Sequence, residues 1–229
     1  IRPLPNNVLT LSPTIYWQRN WDHYQWKRGM TGGNKGENYH RTDVYGGALN
    51  TVVNWALGKT ALGVDLRKEL IYSTAYGETL PAHQWKTIHG SDRMYERRGE
   101  RTNTSLFLEH NVVLQHFTLS AGLLANHNTW LSGGLHFYPG VDLAWRPNAQ
   151  WKVFASWNKA LRLPTYTDLY ISNRAQMGDQ NLNPERVNTY KLGARYRTTA
   201  LQTQVNAFYS NGRDMIDWVF ETSASTRYH

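Results

Sequence analysis

The stretch Tyr45-Gly46-Gly47-Ala48-Leu49-Asn50-Thr51-Val52-Val53-Asn54-Trp55 is written in steps of two. Its odd positions, Tyr45, Gly47, Leu49, Thr51, Val53 and Trp55, form an apolar face with an aromatic ring at each end, while Gly46, Ala48, Asn50, Val52 and Asn54 are small or largely polar. A β-strand turns successive side chains to opposite sides, so such a segment has one face for an apolar medium and one for water. The alternation recurs from Phe117, where Leu119, Ala121, Leu123 and Ala125 oppose Thr118, Ser120, Gly122, Leu124 and Asn126. It recurs again from Leu201, where Thr203, Val205, Ala207 and Tyr209 oppose Gln202, Gln204, Asn206 and Ser210. Long helical periods are absent.

Working outward, the same reading predicts nine strands, at 8–20, 40–56, 61–76, 102–115, 117–129, 136–146, 150–160, 186–198 and 201–213. Tight turns near 57–60, 115–116, 146–150 and 198–200 alternate with long polar connections near 21–39, 77–101 and 161–185 and a shorter one near 130–135. Short turns at one end and long loops at the other are the layout of an outer-membrane barrel. The expected fold class is therefore all-β: a transmembrane antiparallel up-and-down β-barrel, here a partial barrel of about nine strands occupying residues 1–229 as one domain. Trp55, Trp145, Trp151 and Tyr196 lie near the tight turns, and Tyr45, Tyr72, Trp157 and Tyr209 near the opposite strand ends. These are the expected interface belts of a bilayer.

Composition agrees. No run approaches the ~18 consecutive apolar residues of a membrane helix, whereas a barrel tolerates the chain's mean hydropathy of −0.62. Ten Trp and 14 Tyr against 6 Phe favour rings with a polar tip, which collect at wet apolar boundaries. The absence of Cys removes disulfides, thiolate metal sites and thiol catalysis. The net charge of +8 raises nucleic acid as a partner, but the basic residues are scattered, with Arg97-Arg98 the longest run, and no nucleic-acid partner is expected. Ile1 to Asn7 have neither a leader pattern nor an initiating Met, and the chain reads as an internal piece of a longer protein. Lys68 and His110 resist the scheme, because both fall on the lipid-facing register.

From Pro139 onward the sequence becomes more specific. Pro139-Gly140-Val141-Asp142-Leu143-Ala144-Trp145-Arg146-Pro147 is followed by Trp151 to Leu161, then Arg162-Leu163-Pro164-Thr165, Asn181-Leu182-Asn183-Pro184-Glu185 and Asn188-Thr189-Tyr190-Lys191-Leu192-Gly193. This resembles the barrel of TonB-dependent outer-membrane receptors, with Arg162, Pro164, Leu182, Pro184, Glu185, Tyr190 and Gly193 as barrel signature residues. Lys191 stands where that family usually has Glu. Upstream, His40 to Gly46 and Leu62 to Glu69 resemble strands of its cobalamin and siderophore branch, particularly members from Bacteroidetes-like bacteria. The resemblance implies a plug domain inside a barrel of about 22 strands, of which this chain is a mid-to-late part without the plug. It implies an outer-membrane receptor of a Gram-negative bacterium for energy-coupled uptake of a scarce large nutrient. The implied partners are cobalamin or a small-molecule metal chelate such as a ferric siderophore, the TonB-ExbB-ExbD complex through the plug, and the lipid bilayer. No catalysis and no cofactor are implied.

The residues themselves carry no nucleophile elbow, no H-E-x-x-H and no frame of paired carboxylates, and Gly29 to Gly36 lacks the strand-to-helix context of a phosphate cradle. His23, His40, His83 and His89 read as solvated histidines, and no metal site is expected; a cluster on haem iron or another metal is the competing reading. Trp21, Tyr24, Trp26, His83, Trp85, Arg93, Tyr95 and Arg97 are the candidate ligand-binding residues of the outer loops, with an interface belt as the other role for the tryptophans. Asp65, Arg67, Glu69, Glu109, Asp142, Lys152, Lys191 and Arg195 are expected to line the inner wall. Two other readings stand beside the receptor: a passive channel or adhesin barrel, and a soluble glycan-binding β-module. In the last, Leu49, Leu123, Leu192 and their neighbours would be buried under a second sheet.

Overall fold

The computed structural model describes residues 8–29, 36–131, 134–173 and 175–220. The long strands are β1 (Leu9–Gln25), β2 (Glu37–Trp55), β3 (Gly58–Ser73), β7 (Arg97–Val113), β8 (Phe117–Asn128), β9 (His136–Trp145), β10 (Trp151–Arg162), β11 (Glu185–Arg197) and β12 (Gln202–Arg213). Between β3 and β7 lie β4 (Glu78–Thr79), a single 3-10 turn (Ala82–Gln84), β5 (Lys86–Thr87) and β6 (Met94–Tyr95); α1 (Tyr166–Tyr170) sits between β10 and β11. The long strands form one antiparallel sheet in chain order, β4 extends the outer end of β7, and β5 pairs with β6 separately. Among the described residues the sheet is open between β1 and β12.

The register makes each face continuous. Leu49 stands opposite Val64, Val64 opposite Leu106 and Leu106 opposite Ala125; in another row Leu119, Leu143, Ala155, Leu192 and Ala207 follow one another across five strands. Ser120, Asp142, Ser156 and Lys191 form a row on the other side. The leucines of this face are bare, with 44% exposure at Leu49, 39% at Leu123 and 59% at Leu192, and Val205 is 69% exposed, while the small Ala125 is buried among its neighbours. No second sheet among the described residues covers this face, which overturns the soluble sandwich. The polar side is the inner one, because the chain after β10 returns across it to β7, where Arg101 donates to the Pro164 carbonyl at 2.9 Å. Only a sheet curled toward that side brings those two strands under one short segment.

Trp55, Phe117, Trp145, Trp151 and Tyr196 form the lower outward belt, with Phe117 stacked on Trp145 at 6.4 Å and Trp151 4.9 Å from Tyr196. Trp17, Tyr45, Trp157, Tyr190 and Tyr209 share the upper outward register. Tyr45 and Trp55 are ten residues apart on β2, about 23 Å along the membrane normal at the usual tilt, close to the apolar band of such barrels. The two awkward residues sit at these borders. His110 Nδ1 meets Thr60 Oγ1 at 2.9 Å beside Trp55, whose indole donates to the same hydroxyl at 2.8 Å. Lys68 lies opposite Tyr45 and pairs with Glu100 at 3.4 Å.

Several strands overrun their predicted outer ends, while β3 stops at Ser73, short of the predicted 76. β1 continues to Gln25, β2 begins at Glu37 and β7 at Arg97, so the connection expected over 21–39 shrinks and Trp21 and Tyr24 belong to a strand. Above the belts both faces meet water, so the backbone ladder persists after the apolar alternation has ended. At the tight end, Gly58 takes φ 132° in the β2–β3 turn, where a side chain would meet the Asn111 carbonyl. On the inner wall, the rings of Tyr16, Phe107 and Phe154 lie over the directly opposed Gly46, Gly63 and Gly193, occupying the space a Cβ would take.

Candidate functional site

The main feature over the inner wall is the crossing segment between β10 and β11. Arg162, the last residue of β10, donates to Glu185 Oε1 at 2.8 Å and to Asp168 Oδ2 at 3.3 Å. Glu185 Oε1 also accepts from the Ile216 amide at 2.8 Å, and these contacts hold the Glu185 carboxyl below the usual range. Pro164 disfavours helix at Leu163, and Thr165 then caps α1: its hydroxyl accepts from the Asp168 amide at 3.1 Å while Asp168 Oδ2 accepts from the Thr165 amide at 2.8 Å.

Thus begun, α1 lies on the inner wall of β7. Gly99 makes this possible, since a Cβ there would stand 2.6 Å from Tyr166 Cε1. Trp130 meets Tyr166 edge-on at 4.8 Å and donates to the Glu100 carbonyl at 3.0 Å. The Arg101 guanidinium lies 4.8 Å from the Trp130 ring and 5.4 Å from that of Tyr166; it also pairs with Glu69 at 2.6 Å, and Glu69 with Arg67 at 2.7 Å. Burial pushes the Tyr166 phenol up, and its hydroxyl is buried with no hydrogen-bond partner. A cavity of about 150 Å³ opens beside this cluster, with Trp130, Pro164, Leu169, Tyr170 and Leu182 in its wall. The cluster beside it presents rings and one shared cation, groups suited to noncovalent contact.

The chain matches the TonB dependent receptor-like, beta-barrel family over residues 4–229. It belongs to that family of receptors and transporters, not enzymes. Among curated relatives of this TonB-dependent receptor barrel, the vitamin B12 transporter BtuB of Vibrio vulnificus is 30% identical over 92 residues, which is 40% of this chain and 13% of that protein. The FrpB iron transporter of Neisseria meningitidis superposes with a TM-score of 0.66 at 18% identity, over 95% of this chain and 35% of that one. The ferric enterobactin receptor of Pseudomonas aeruginosa gives 0.63 at 18% identity, over 90% and 32%. The chain therefore spans about an eighth of the curated relative and about a third of these structures.

Seen as a TonB-dependent receptor barrel, the signature residues gain physical roles. Arg162 and Glu185 clamp the two ends of the crossing segment, Pro164 offers its carbonyl to Arg101, Leu182 walls the cavity, and Gly193 makes room for Phe154. Tyr190 instead faces outward at the upper belt, half-exposed and 6.3 Å from Tyr209. The inner charges divide into separate patches: Arg67, Glu69 and Arg101 near the mouth, Glu109 accepting from Asn111 and Ser120 lower down, and Arg195 donating to Gln204.

The eight loop candidates are not brought together. Trp21 faces outward in the row of Arg41, and Tyr24 faces inward. Trp26 leaves β1, its amide donating to the Gly36 carbonyl at 2.6 Å. His83 lies in the 3-10 turn, and the Trp85 indole donates to the Leu80 carbonyl at 2.9 Å. Tyr95 packs with Tyr72 and Ile88 in a small core on the outward side, and Arg93 donates to the Glu37 carbonyl there. Arg97 is on the inner side and donates to the Gly77 carbonyl at 3.1 Å. His23 and His40 also point to opposite faces, His40 meeting Ser73 Oγ at 2.8 Å. Trp130, Tyr166 and Arg101 escaped the sequence reading because their proximity depends on a crossing between distant strands.

Proposed function

We propose that the chain is part of an outer-membrane receptor that imports a scarce large nutrient, cobalamin or a ferric siderophore, driven by the TonB-ExbB-ExbD complex acting through a plug domain. The observation that carries this reading is the pairing of a bare apolar outer face with a polar inner wall that the Arg162–Glu185 clamp overhangs, in a member of the TonB-dependent receptor family. Barrels of this family reside in the Gram-negative outer membrane, which supports that location. The vitamin B12 transporter named above supports the cobalamin class by sequence, and the ferric enterobactin receptor shares the fold at 18% identity. Ligand contact is assigned to the inward-facing mouth, namely Tyr24, Arg97, Arg101, Trp130 and Tyr166, with Trp26, His83 and Trp85 as outer contacts. Trp21, Arg93 and Tyr95 are assigned to the outer-face packing.

The test is uptake by a strain lacking the intact receptor, grown separately on limiting cobalamin and on limiting ferric siderophores. Restoration of one uptake by the full-length gene, lost when TonB is deleted, is the expected result. Restoration that survives TonB deletion would make the protein a passive channel.

A further inference from the structure

The lower inner wall sorts its charges by side. Strands β3, β7 and β9 carry Asp65, Glu109 and Asp142 inward, opposite Ser105, Gly122 and Ser156, and strands β10 and β11 carry Lys152, Lys191 and Arg195. Nearer the mouth opposite signs meet, Arg67 and Arg101 on Glu69 and Arg162 on Glu185. Lower down they do not. Among the described residues, none of those three carboxylates lies within 4.0 Å of a cation and none of the three cations within 4.0 Å of a carboxylate. Their contacts are neutral instead: Glu109 accepts from Asn111 and Ser120, Arg195 donates to Gln204 at 2.9 Å, and the Lys152 ammonium lies 5.8 Å from the Phe154 ring. Lys152 and Arg195 even stand directly opposite each other, a placement in which like charges repel.

A further strand beyond the open margin would not balance this side. It would pair with β12, which places it two strands from Arg195 and three from Lys152, about 10 Å and 14 Å across the sheet. Carboxylates for Lys152 therefore approach from the lumen. We infer that the protein domain filling the lumen docks an acidic face on Lys152, Lys191 and Arg195 and turns a basic face to Asp65, Glu109 and Asp142, so that the sorted charges fix its rotation about the barrel axis. The inference rests on the receptor reading above, which supplies such a domain, and adds the sign of each contact. Lys191 stands where the family usually has Glu, so the polarity of this side is the chain's own. Lys191 and Arg195 are four residues apart on β11, about 9 Å along the normal at the usual tilt, and the acidic face must extend at least that far. One water-accessible pair contributes little. Orientation comes from several together and from relief of the Lys152–Arg195 repulsion.

The test treats the full-length receptor in outer-membrane vesicles with a water-soluble carbodiimide. The reagent adds to a carboxyl group, a touching lysine amine attacks the activated carbonyl, and an amide forms as the reagent leaves as its urea; peptide mass spectrometry then locates the link. Lys152 and Lys191 become joined to Asp or Glu residues of the lumen domain, while Lys68 joins Glu100 on the outer face, where the two already lie 3.4 Å apart. In a Lys152→Glu/Lys191→Glu receptor, protease cleavage of the lumen domain rises at least about fivefold, and replacing the linked carboxylates by Lys in that variant restores resistance. Heat-modifiable gel mobility verifies that each barrel is folded. Links from Lys152 and Lys191 to other barrel strands alone, no links from them while Lys68 is joined to Glu100, or unchanged cleavage in the folded double variant overturns the inference. A full-length protein with no domain inside its barrel refutes the receptor reading itself, a result separate from a lumen domain that is present and unlinked.

Discussion

At the scale of single residues, small side chains set what large ones can do. Gly63 and Gly122 are both inward-facing and both in mid-strand, yet they differ in their neighbours. A Cβ at Gly63 would fall 1.8 Å from Phe107 Cε1 and 2.6 Å from Asn50 Oδ1, whereas at Gly122 the nearest atom is the Leu108 carbonyl at 3.5 Å. Gly63→Val should therefore cost about 1–3 kcal/mol through displacement of the Phe107 ring, and Gly122→Val well under 1 kcal/mol. Thermal melting of the detergent-solubilised receptor checks the contrast, and equal shifts would remove the ring-over-glycine account. Gly99 makes the parallel case for the crossing segment. Gly99→Val should unseat Tyr166 and raise protease cleavage within 163–184 roughly tenfold or more in the folded receptor; an unchanged rate would show that α1 does not depend on this seat. The Arg162–Glu185 pair is half open to water on the arginine side, so its coupling in a double-mutant cycle with Arg162→Ala and Glu185→Ala should be about 1 kcal/mol, below that of a buried pair.

Among the elements, the strands and the tight turns were legible and the contents of the long connections were not. Period two marks each strand independently, since a one-residue slip would move its whole set of side chains to the other face. Leu119, Leu123, Leu192 and Val205 accordingly lie where the alternation put them. The outer ends of β1 and β7 and the first three residues of β2 were hidden, because residues such as Asp22, His23 and Glu37 pair through a backbone that any polar sequence can supply. α1 was hidden for a different reason: its five residues are too few for a periodic signal, and its place is fixed by Gly99 and Arg101, more than sixty residues upstream. The two faces make an element-scale prediction. Leu123→Arg on the lipid side of β8 should cost roughly 2–4 kcal/mol near the midplane. Asn126 is a poor control, being buried and donating to Asn103 and Ser105 at 3.0 Å each. Ser120 is the better one, since it stands opposite Asp142 and beside Glu109 on the inner wall, where an arginine finds carboxylates. Folded yield in the outer membrane should fall sharply for Leu123→Arg and little for Ser120→Arg, and equal yields would contradict the face assignment.

For the whole molecule the decisive fact is that the apolar surface points away from the chain's own core. The described buried hydrophobic residues are few, and the one small core, Tyr72 with Ile88 and Tyr95, lies above the belts where the segment between β3 and β7 folds back on the outer face. Between the belts, Leu49, Leu62, Leu108, Leu143 and Leu192 are 44–59% exposed, and no second layer among the described residues covers them. Burial of apolar area, the main force in a soluble fold, must then come from lipid or detergent. The open margins add to this, because β1 and β12 each present one row of unpaired backbone groups, and such edges recruit other strands. The 229-residue chain on its own should consequently form no discrete monomer in detergent-free buffer. Sedimentation velocity should show broad, large species, and addition of detergent above its micelle concentration should shift them toward small particles with strong β circular dichroism. A sharp monomer boundary without detergent, together with cooperative thermal unfolding, would mean that the outward face is satisfied some other way, and the lipid-facing assignment would fail at its broadest scale.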